Sequence, residues 1–173
     1  MKLDVGCGKR KRGDIGVDIN RNSEADVIAD AHFLCFRESS FDQLSAYALL
    51  EHVDNPNKVL AEMSRVCKKG AHITILVPAN SRMICNFIIY FLTFQFKGVL
   101  NMYRCNKERE HKWQYSPSSL KTLLKKHGFR ILKAEFKAPS FYGANNRFLR
   151  MLEKTHRRYP IYKPHLVAEG IKL

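Results

Sequence analysis

The sequence predicts a single α/β domain, a three-layer sandwich on a mostly parallel seven-stranded sheet. Short apolar runs alternate along the chain with helical or loop segments, and 45% of the 173 residues are hydrophobic. Strands that alternate with helices favour a parallel sheet with helices on both faces. We expect one domain over residues 1–173, with a cap or interface segment at 84–110 and an insertion at 138–164.

The first five strands are predicted from short apolar runs. Lys2–Val5 is such a run, and it ends in the turn Gly6-Cys7-Gly8. The other four are predicted at Asp14–Ile19, Ala25–Ala29, Phe41–Tyr47 and Ala71–Val77. A helix is predicted at Lys58–Cys67, with Pro56 suited to its start and Gly70 to its end.

The second half of the chain continues this alternation. Ser116-Pro117 predicts a capped helix start, and His127-Gly128 predicts its end. Phe129–Lys137 and His165–Leu173 are the sixth and seventh predicted strands. Ile84–Leu100 carries one charge and five aromatic residues, and it is shorter than the roughly 20 residues that span a bilayer. We expect it to form a buried helix or a lid.

The positive charge is concentrated in one part of the chain. Residues 1–56 have a net charge of −3, whereas residues 57–173 have +17. A basic half can attract RNA, an anionic membrane surface or a phosphorylated substrate, or it can be a solvated surface. The first residues lack the apolar stretch of a signal peptide, and the five scattered cysteines form no Cys-x-x-Cys pair. These features predict a cytoplasmic protein with reduced thiols.

The end of the first strand has features of a nucleotide site. Gly6 and Gly8 allow a ligand to approach the backbone closely, although a plain turn also explains them. Asp18 ends the second strand, where a carboxylate can accept hydrogen bonds from ribose hydroxyls. It follows Gly8 by ten positions rather than the roughly 20 of dinucleotide sites. The first βαβ unit is therefore shortened, and a stub or the basic loop Lys9–Arg12 replaces its helix.

Five segments carry the motifs of one family. They are Leu3-Asp4-Val5-Gly6-Cys7-Gly8, Gly16-Val17-Asp18-Ile19, Ala29-Asp30-Ala31, the stretch from Phe41-Asp42 to Leu50-Glu51-His52-Val53, and Trp113–Phe129. As a set they resemble the class I, Rossmann-like, S-adenosylmethionine-dependent methyltransferases of the ubiquinone and sterol type. The resemblance is close over residues 2–80 and weaker over 111–137.

The resemblance implies a strand order of 3-2-1-4-5-7-6, with the seventh strand antiparallel. It also implies that S-adenosyl-L-methionine lies across the carboxyl ends of the strands. Its cofactor-binding residues in this chain are Asp4, Gly6 and Gly8 near the methionine part, Asp18 and Ile19 at the ribose, Asp30 and Ala31 at the adenine, and Ala46 near the methyl group. Tyr47 flanks the same methyl group.

Methyl transfer requires alignment and a dry site more than acid–base chemistry. A base is needed only if the acceptor loses a proton early, and His52, Tyr47 and His111 are the candidates. His52 equally fits a structural histidine on a helix face, and His111 a surface residue. Because His52 and Asp54 are only two positions apart and no other His, Cys or Asp cluster has ligand spacing, we expect no metal.

Three functions are compatible with these features. The first is methyl transfer to an O, N or C atom of a small-molecule or lipid-like acceptor, with peripheral membrane contact or a homo-oligomer expected from the apolar segment Ile84–Leu100. The second is RNA methylation, favoured by the basic half and its aromatic residues. The third is a non-catalytic cofactor-binding module, suggested by the shortened first unit.

Overall fold

The computed structural model describes residues 1–78, 111–137 and 165–173. Its elements are β1 (Lys2–Val5), β2 (Ile15–Asp18), β3 (Val27–Ile28), β4 (Phe41–Tyr47), α1 (Pro56–Val66), β5 (Cys67–Pro78), α2 (Pro117–Lys126), β6 (Phe129–Lys137) and β7 (His165–Lys172). The expected cap at 84–110, with its apolar helix Ile84–Leu100, and the insertion at 138–164 lie outside the described residues.

The seven strands form one sheet in the order β3-β2-β1-β4-β5-β7-β6. Strands β1 to β5 pair in parallel, and β7 runs antiparallel to both β5 and β6. The order that the resemblance implied is confirmed. Because β1 pairs with both β2 and β4, the strand order reverses at β1, and a ligand crevice is expected at the carboxyl ends of these strands.

The crossovers between the first four strands contain no helix, so the shortened first unit is confirmed. Residues 6–14, which include the basic loop Lys9–Arg12, connect β1 to β2, and the Lys11 ammonium donates to Asp26 at 2.9 Å. Strand β3 has two residues rather than the five predicted at Ala25–Ala29. Just before β3, Asp26 N donates to Gly16 O at 2.9 Å, and the Asp26 carboxylate accepts from Gly16 N at 2.7 Å.

Helix α1 begins two residues before the predicted start. Asn55 caps it by accepting a hydrogen bond from Lys58 N, and Pro56 occupies its first turn. Its buried face consists of Pro56, Val59, Leu60, Met63 and Val66.

The prediction that Gly70 ends α1 is wrong. The helix ends at Val66, Cys67 is already extended, and Gly70 lies within β5 with a φ of 80°. The pairing with β4 shifts in register between Phe41 and Gln43. Gly70 therefore serves an irregularity in the strand, where the left-handed backbone favours glycine.

Helix α2 has the predicted ends. Ser116 and Ser119 form a capping box, in which each backbone N–H donates to the other hydroxyl, at 2.9 and 3.1 Å. The helix closes at His127, and Gly128 follows with a φ of 78°. Leu120 and Leu124 of this helix are fully buried and form its core-facing side. Within the described residues, no helix is long and apolar enough to cross a membrane.

Candidate functional site

A cavity of about 240 Å³ lies at the carboxyl ends of β1, β2 and β3. Five residues that the resemblance assigned to the cofactor line it, namely Gly6, Asp18, Ile19, Ala31 and Asp30. The remaining lining residues include Leu49, His52 and Val53, which follow β4. The cavity therefore lies between the turn that follows β4 and the ends of β1, β2 and β3.

Gly6 is the first residue of the turn after β1 and lines the cavity. Its φ is 71°, and its N–H donates to Val17 O at 2.8 Å. A Cβ atom at this position would lie 2.9 Å from Leu49 Cδ1, which is closer than side chains tolerate. The left-handed backbone conformation therefore favours glycine here, and an alanine would also have to displace the flexible Leu49 side chain.

Asp18 connects the end of β2 to the glycine turn. Its Oδ2 accepts a hydrogen bond from Gly8 N, and its Oδ1 accepts one from Asn20 N, both at 2.8 Å. Each carboxylate oxygen has a second lone pair, so the side chain can also accept hydrogen bonds from a ligand. Gly8 is not one of the lining residues, and this hydrogen bond connects it to Asp18, which is.

Asp30 lies at the end of the β3 segment and is paired with His32. Its Oδ1 accepts hydrogen bonds from His32 N at 2.9 Å and from His32 Nδ1 at 2.6 Å. The backbone N–H of His32 is the main cause of the lowered pKa of Asp30, and the His32 side chain adds to it. The Asp30 carboxylate is therefore ionised at neutral pH, and its side chain stays 45% exposed.

His32 is a cavity residue that the sequence analysis missed. Its Nε2 accepts a hydrogen bond from Asn55 N at 3.2 Å, so the neutral ring carries its proton on Nδ1 and donates it to Asp30. His32 thereby joins the residue after β3 to the cap of α1. The Asp-x-His spacing was visible in the sequence, but the contact with Asn55 depends on the fold.

Asp4 and Ala46 are buried residues that do not line the cavity. Asp4 is fully buried, and its carboxylate accepts hydrogen bonds from Arg12 N at 2.7 Å and Ser45 Oγ at 2.8 Å. Ala46 is buried in the core. Asp4 thus fastens the basic loop to the centre of the sheet, and the contacts of Asp4 and Ala46 with a methionine group stay predictions.

Tyr47 ends β4 under the basic loop. The guanidinium carbon of Arg12 lies 4.5 Å from the centre of the Tyr47 ring. This cation–π contact, together with the bond from Arg12 N to Asp4, holds Arg12 across the ends of β1 and β4. An arginine held there can attract the carboxylate of a ligand.

The structure brings His52 and His111 together. Their ring centres are 4.8 Å apart, and His52 Nε2 lies 4.0 Å from the buried carboxylate oxygen Oε1 of Glu51. His52 is in a turn, so its interpretation as a helix-face residue is wrong. Glu51, His52 and His111 form a group that could hold a metal, with ligand atoms within 4.8 Å of one another. The expectation of no metal relied on linear spacing, which does not reveal this group.

Residues 111–115 are attached to the turn after β4 by hydrogen bonds. Lys112 N and Trp113 N both donate to Glu51 O, at 2.8 and 3.2 Å. The Trp113 indole donates to Val53 O at 2.8 Å, and the buried Tyr115 hydroxyl donates to Leu50 O at 3.1 Å. These contacts fix His111 beside His52.

Comparison with known proteins adds family information. The family described as "Methyltransferase domain" matches residues 3–134. The chain is 33% identical over 120 residues to the uncharacterized protein MJ1252 of Methanocaldococcus jannaschii, covering 61% of this chain and 47% of that protein. It is 40% identical over 47 residues to a phosphatidylethanolamine N-methyltransferase of Cereibacter sphaeroides, covering 27% and 23%. The chain thus spans about half or less of the curated relatives it matches.

Solved structures share the fold. A methyltransferase in complex with the Haloferax volcanii activator Trm112 superposes with a TM-score of 0.65 at 15% identity, covering 99% of this chain and 81% of that one. A SAM-dependent methyltransferase of Archaeoglobus fulgidus superposes with a TM-score of 0.63 at 19% identity, covering 99% and 85%. At these identities the likeness concerns the fold alone.

Proposed function

The chain belongs to the methyltransferase domain family, and from this premise we propose that it binds S-adenosylmethionine in the cavity beside β1 to β3 and transfers its methyl group. The observation that carries the proposal is the pair of carboxylates, Asp18 and Asp30, on one cavity at the switch point of the sheet. An adenine nucleoside has hydrogen-bond donors at its ribose hydroxyls and at its amino group. Asp18 can accept from the ribose and Asp30 from the amino group.

The shape of the cavity supports a nucleoside occupant. Gly6 leaves its backbone accessible where a Cβ atom would already collide with Leu49. Ile19 is 71% exposed and lines the same cavity, so it offers an apolar surface to a flat ring. Ala31 leaves room beside Asp30. Together these residues provide polar groups at two positions and apolar contact between them.

The chemistry divides between cofactor and protein. When bound, S-adenosylmethionine supplies a methyl group on a positively charged sulfur, which a nucleophile can displace directly. The residues of this chain orient the two reactants and exclude water. Of the three candidate bases, His52 lines the cavity, so it is the one that we propose faces the acceptor; Tyr47 and His111 stay alternatives.

We propose a small-molecule or lipid-like acceptor that is methylated at an O, N or C atom. The 47-residue similarity to a phosphatidylethanolamine N-methyltransferase supports a lipid-like acceptor, as does the apolar composition of Ile84–Leu100. An apolar segment can provide a wall for such an acceptor or contact a membrane. A cytoplasmic location is part of the same proposal.

The experiment is a transfer assay with methyl-labelled cofactor. Purified protein is incubated with cell extract, which is then separated into lipid, RNA and small-molecule fractions. We expect label in the lipid or small-molecule fraction, and we expect Asp18→Ala to reduce it strongly at low cofactor concentration. Wild-type protein that binds the cofactor but labels no fraction would indicate a non-catalytic binding module instead.

RNA methylation is the second candidate, favoured by the +17 charge of residues 57–173. Binding through phosphate contacts weakens steeply as salt increases. Label in the RNA fraction, together with RNA affinity that falls steeply between about 50 and 200 mM salt, would favour this function over the first. Label confined to lipid would exclude it.

A further inference from the structure

The group of Glu51, His52 and His111 combines three donors of different burial at the edge of the cavity. Glu51 is 1% exposed, His52 is half-buried, and His111 is exposed. Glu51 and His52 are neighbours in the chain, whereas His111 is delivered by a separate segment. The backbone bonds from Lys112 and Trp113 to Glu51 O bring that segment to the site.

We propose that this group is a binding site for a divalent transition-metal ion of the Zn²⁺ class. Two imidazoles and one carboxylate are a ligand set that suits zinc and its neighbours, whereas magnesium prefers oxygen ligands. The ligand atoms all lie within 4.8 Å of one another. In a tetrahedral zinc site the ligand atoms are about 3.4 Å apart, as follows from metal–ligand distances of about 2.05 Å. The three side chains must therefore move closer by up to about 1.4 Å to share one ion.

Burial of the carboxylate favours a cation at this point. An ionised carboxylate that leaves water requires a nearby positive charge or several hydrogen-bond donors. Imidazoles and a carboxylate that share a metal are all stabilised in their deprotonated forms. His52 Nε2 already lies 4.0 Å from Glu51 Oε1, which is close to the separation that a shared metal requires.

The surroundings hold the donors in place before any metal binds. The Trp113 indole and the Tyr115 hydroxyl bond to backbone oxygens of the turn that carries Glu51, at 2.8 and 3.1 Å. Lys112 pairs with Asp54 on the outer side. Pre-positioned ligands lose less conformational freedom on binding, which favours affinity.

The site adjoins the cavity, so its ion would be accessible from it. Three protein ligands leave at least one coordination position for water or for a donor atom of a ligand. His52 lines the cavity and the ion would bind at its ring, so that open position is near the cavity. The proposal does not depend on the proposed methyl transfer, but a metal on His52 Nε2 prevents this nitrogen from acting as a base.

The test is a titration of the metal-free full chain with Zn²⁺ alone, followed by calorimetry, without any cofactor. We expect one ion per chain, and we expect His52→Ala and His111→Ala each to weaken binding at least about tenfold. His72→Ala is the matched control, because His72 is exposed and lies near the start of the β4–β5 pairing, opposite Gln43, away from the ends of the strands. It should bind as the wild type does.

A second measurement identifies the ligand atoms. Co²⁺ is added in place of Zn²⁺, and its visible spectrum separates nitrogen and oxygen ligands from thiolates. We expect a spectrum without thiolate bands that is lost in His111→Ala, whose exposed side chain can be truncated without disturbing the core. Glu51→Gln should weaken binding as well.

The proposal is overturned by absence of Zn²⁺ binding in the wild type. It is also overturned if the two histidine variants bind like the wild type, or if thiolate bands show that cysteines hold the ion. Circular dichroism of each variant establishes that it is folded.

Discussion

Gly6 combines a left-handed backbone with a close side-chain neighbour at the cavity. Its left-handed φ of 71° and the 2.9 Å that would separate a Cβ atom from Leu49 Cδ1 are separate constraints. We expect Gly6→Ala to lower the free energy of unfolding by more than about 1 kcal/mol, because the native backbone does not suit alanine. Cofactor binding should be lost too. Urea unfolding and calorimetry measure the two effects.

Gly70→Ala separates strain from collision. Gly70 has a similar φ of 80°, but no atom lies within 4 Å of the Cβ that alanine would add. Gly70→Ala therefore strains the backbone without a collision. We expect it to have a higher free energy of unfolding than Gly6→Ala and still to bind the cofactor. Equal stability of both variants would show that the contact with Leu49 is unimportant.

Asp18 is expected to be the main anchor of the ribose. We predict that Asp18→Ala weakens cofactor binding by about 1.5–3 kcal/mol, because charge-assisted hydrogen bonds are lost. Asp18 also accepts from Gly8 N, so truncation frees the glycine turn as well. Asp18→Asn keeps one side-chain oxygen, so its cofactor affinity should lie between those of the wild type and Asp18→Ala. Calorimetry with S-adenosylhomocysteine measures all three, and unchanged affinity in the alanine variant contradicts the assignment.

The residues that the sequence placed around a ligand share one property. Gly6, Asp18 and Asp30 each lie at or just after the end of a strand, so their common location follows from a parallel sheet. Their contacts with the cofactor stay predictions. His32 was missed because its role depends on Asn55, and the group of Glu51, His52 and His111 was missed because 59 positions separate the two histidines.

Among the elements, those with strong local signals were predicted best. Strands β4 and β6 have the predicted bounds, and the capped start of α2 was predicted from Ser116-Pro117. The start of β5 was placed four residues too late, because Gly70 resembled a helix stop. The pairing of Phe41 with Cys67 extends β5 back to the helix, and such pairing cannot be read from local sequence.

Strand β7 gives the fold a dependence on pH. His165 begins this strand, and burial lowers its pKa below the ordinary value. The folded state therefore binds this proton more weakly than the unfolded state does. The contribution to stability is complete above the unfolded pKa of about 6.5 and is lost as pH falls from there towards the folded pKa.

We therefore expect the free energy of unfolding to be lower at about pH 5.5 than at about pH 7.5. His165→Gln cannot be protonated, so part of this difference should disappear in that variant. The pKa of His127 is also lowered by burial, so His127 is expected to contribute to the same pH difference in the free energy of unfolding. Urea titrations at both pH values test this, and an unchanged pH difference in His165→Gln would contradict it.

At the scale of the whole molecule, the topology determines where the chemistry can occur. The reversal of strand order at β1 opens a crevice between the turn after β1 and the turn after β4. The resemblance predicted this order because its motifs lie at strand ends. The short crossovers were predicted from the ten positions between Gly8 and Asp18. Only the class of the acceptor was predicted and not its identity, because family motifs describe the cofactor side of the site.

The most direct test of this account is calorimetric titration of the wild-type chain with S-adenosylmethionine and with S-adenosylhomocysteine. The cavity, its two carboxylates and the turn at Gly6 predict that each ligand binds once per chain, with dissociation constants well below millimolar. Absence of binding by folded protein at millimolar concentrations of both ligands would contradict it.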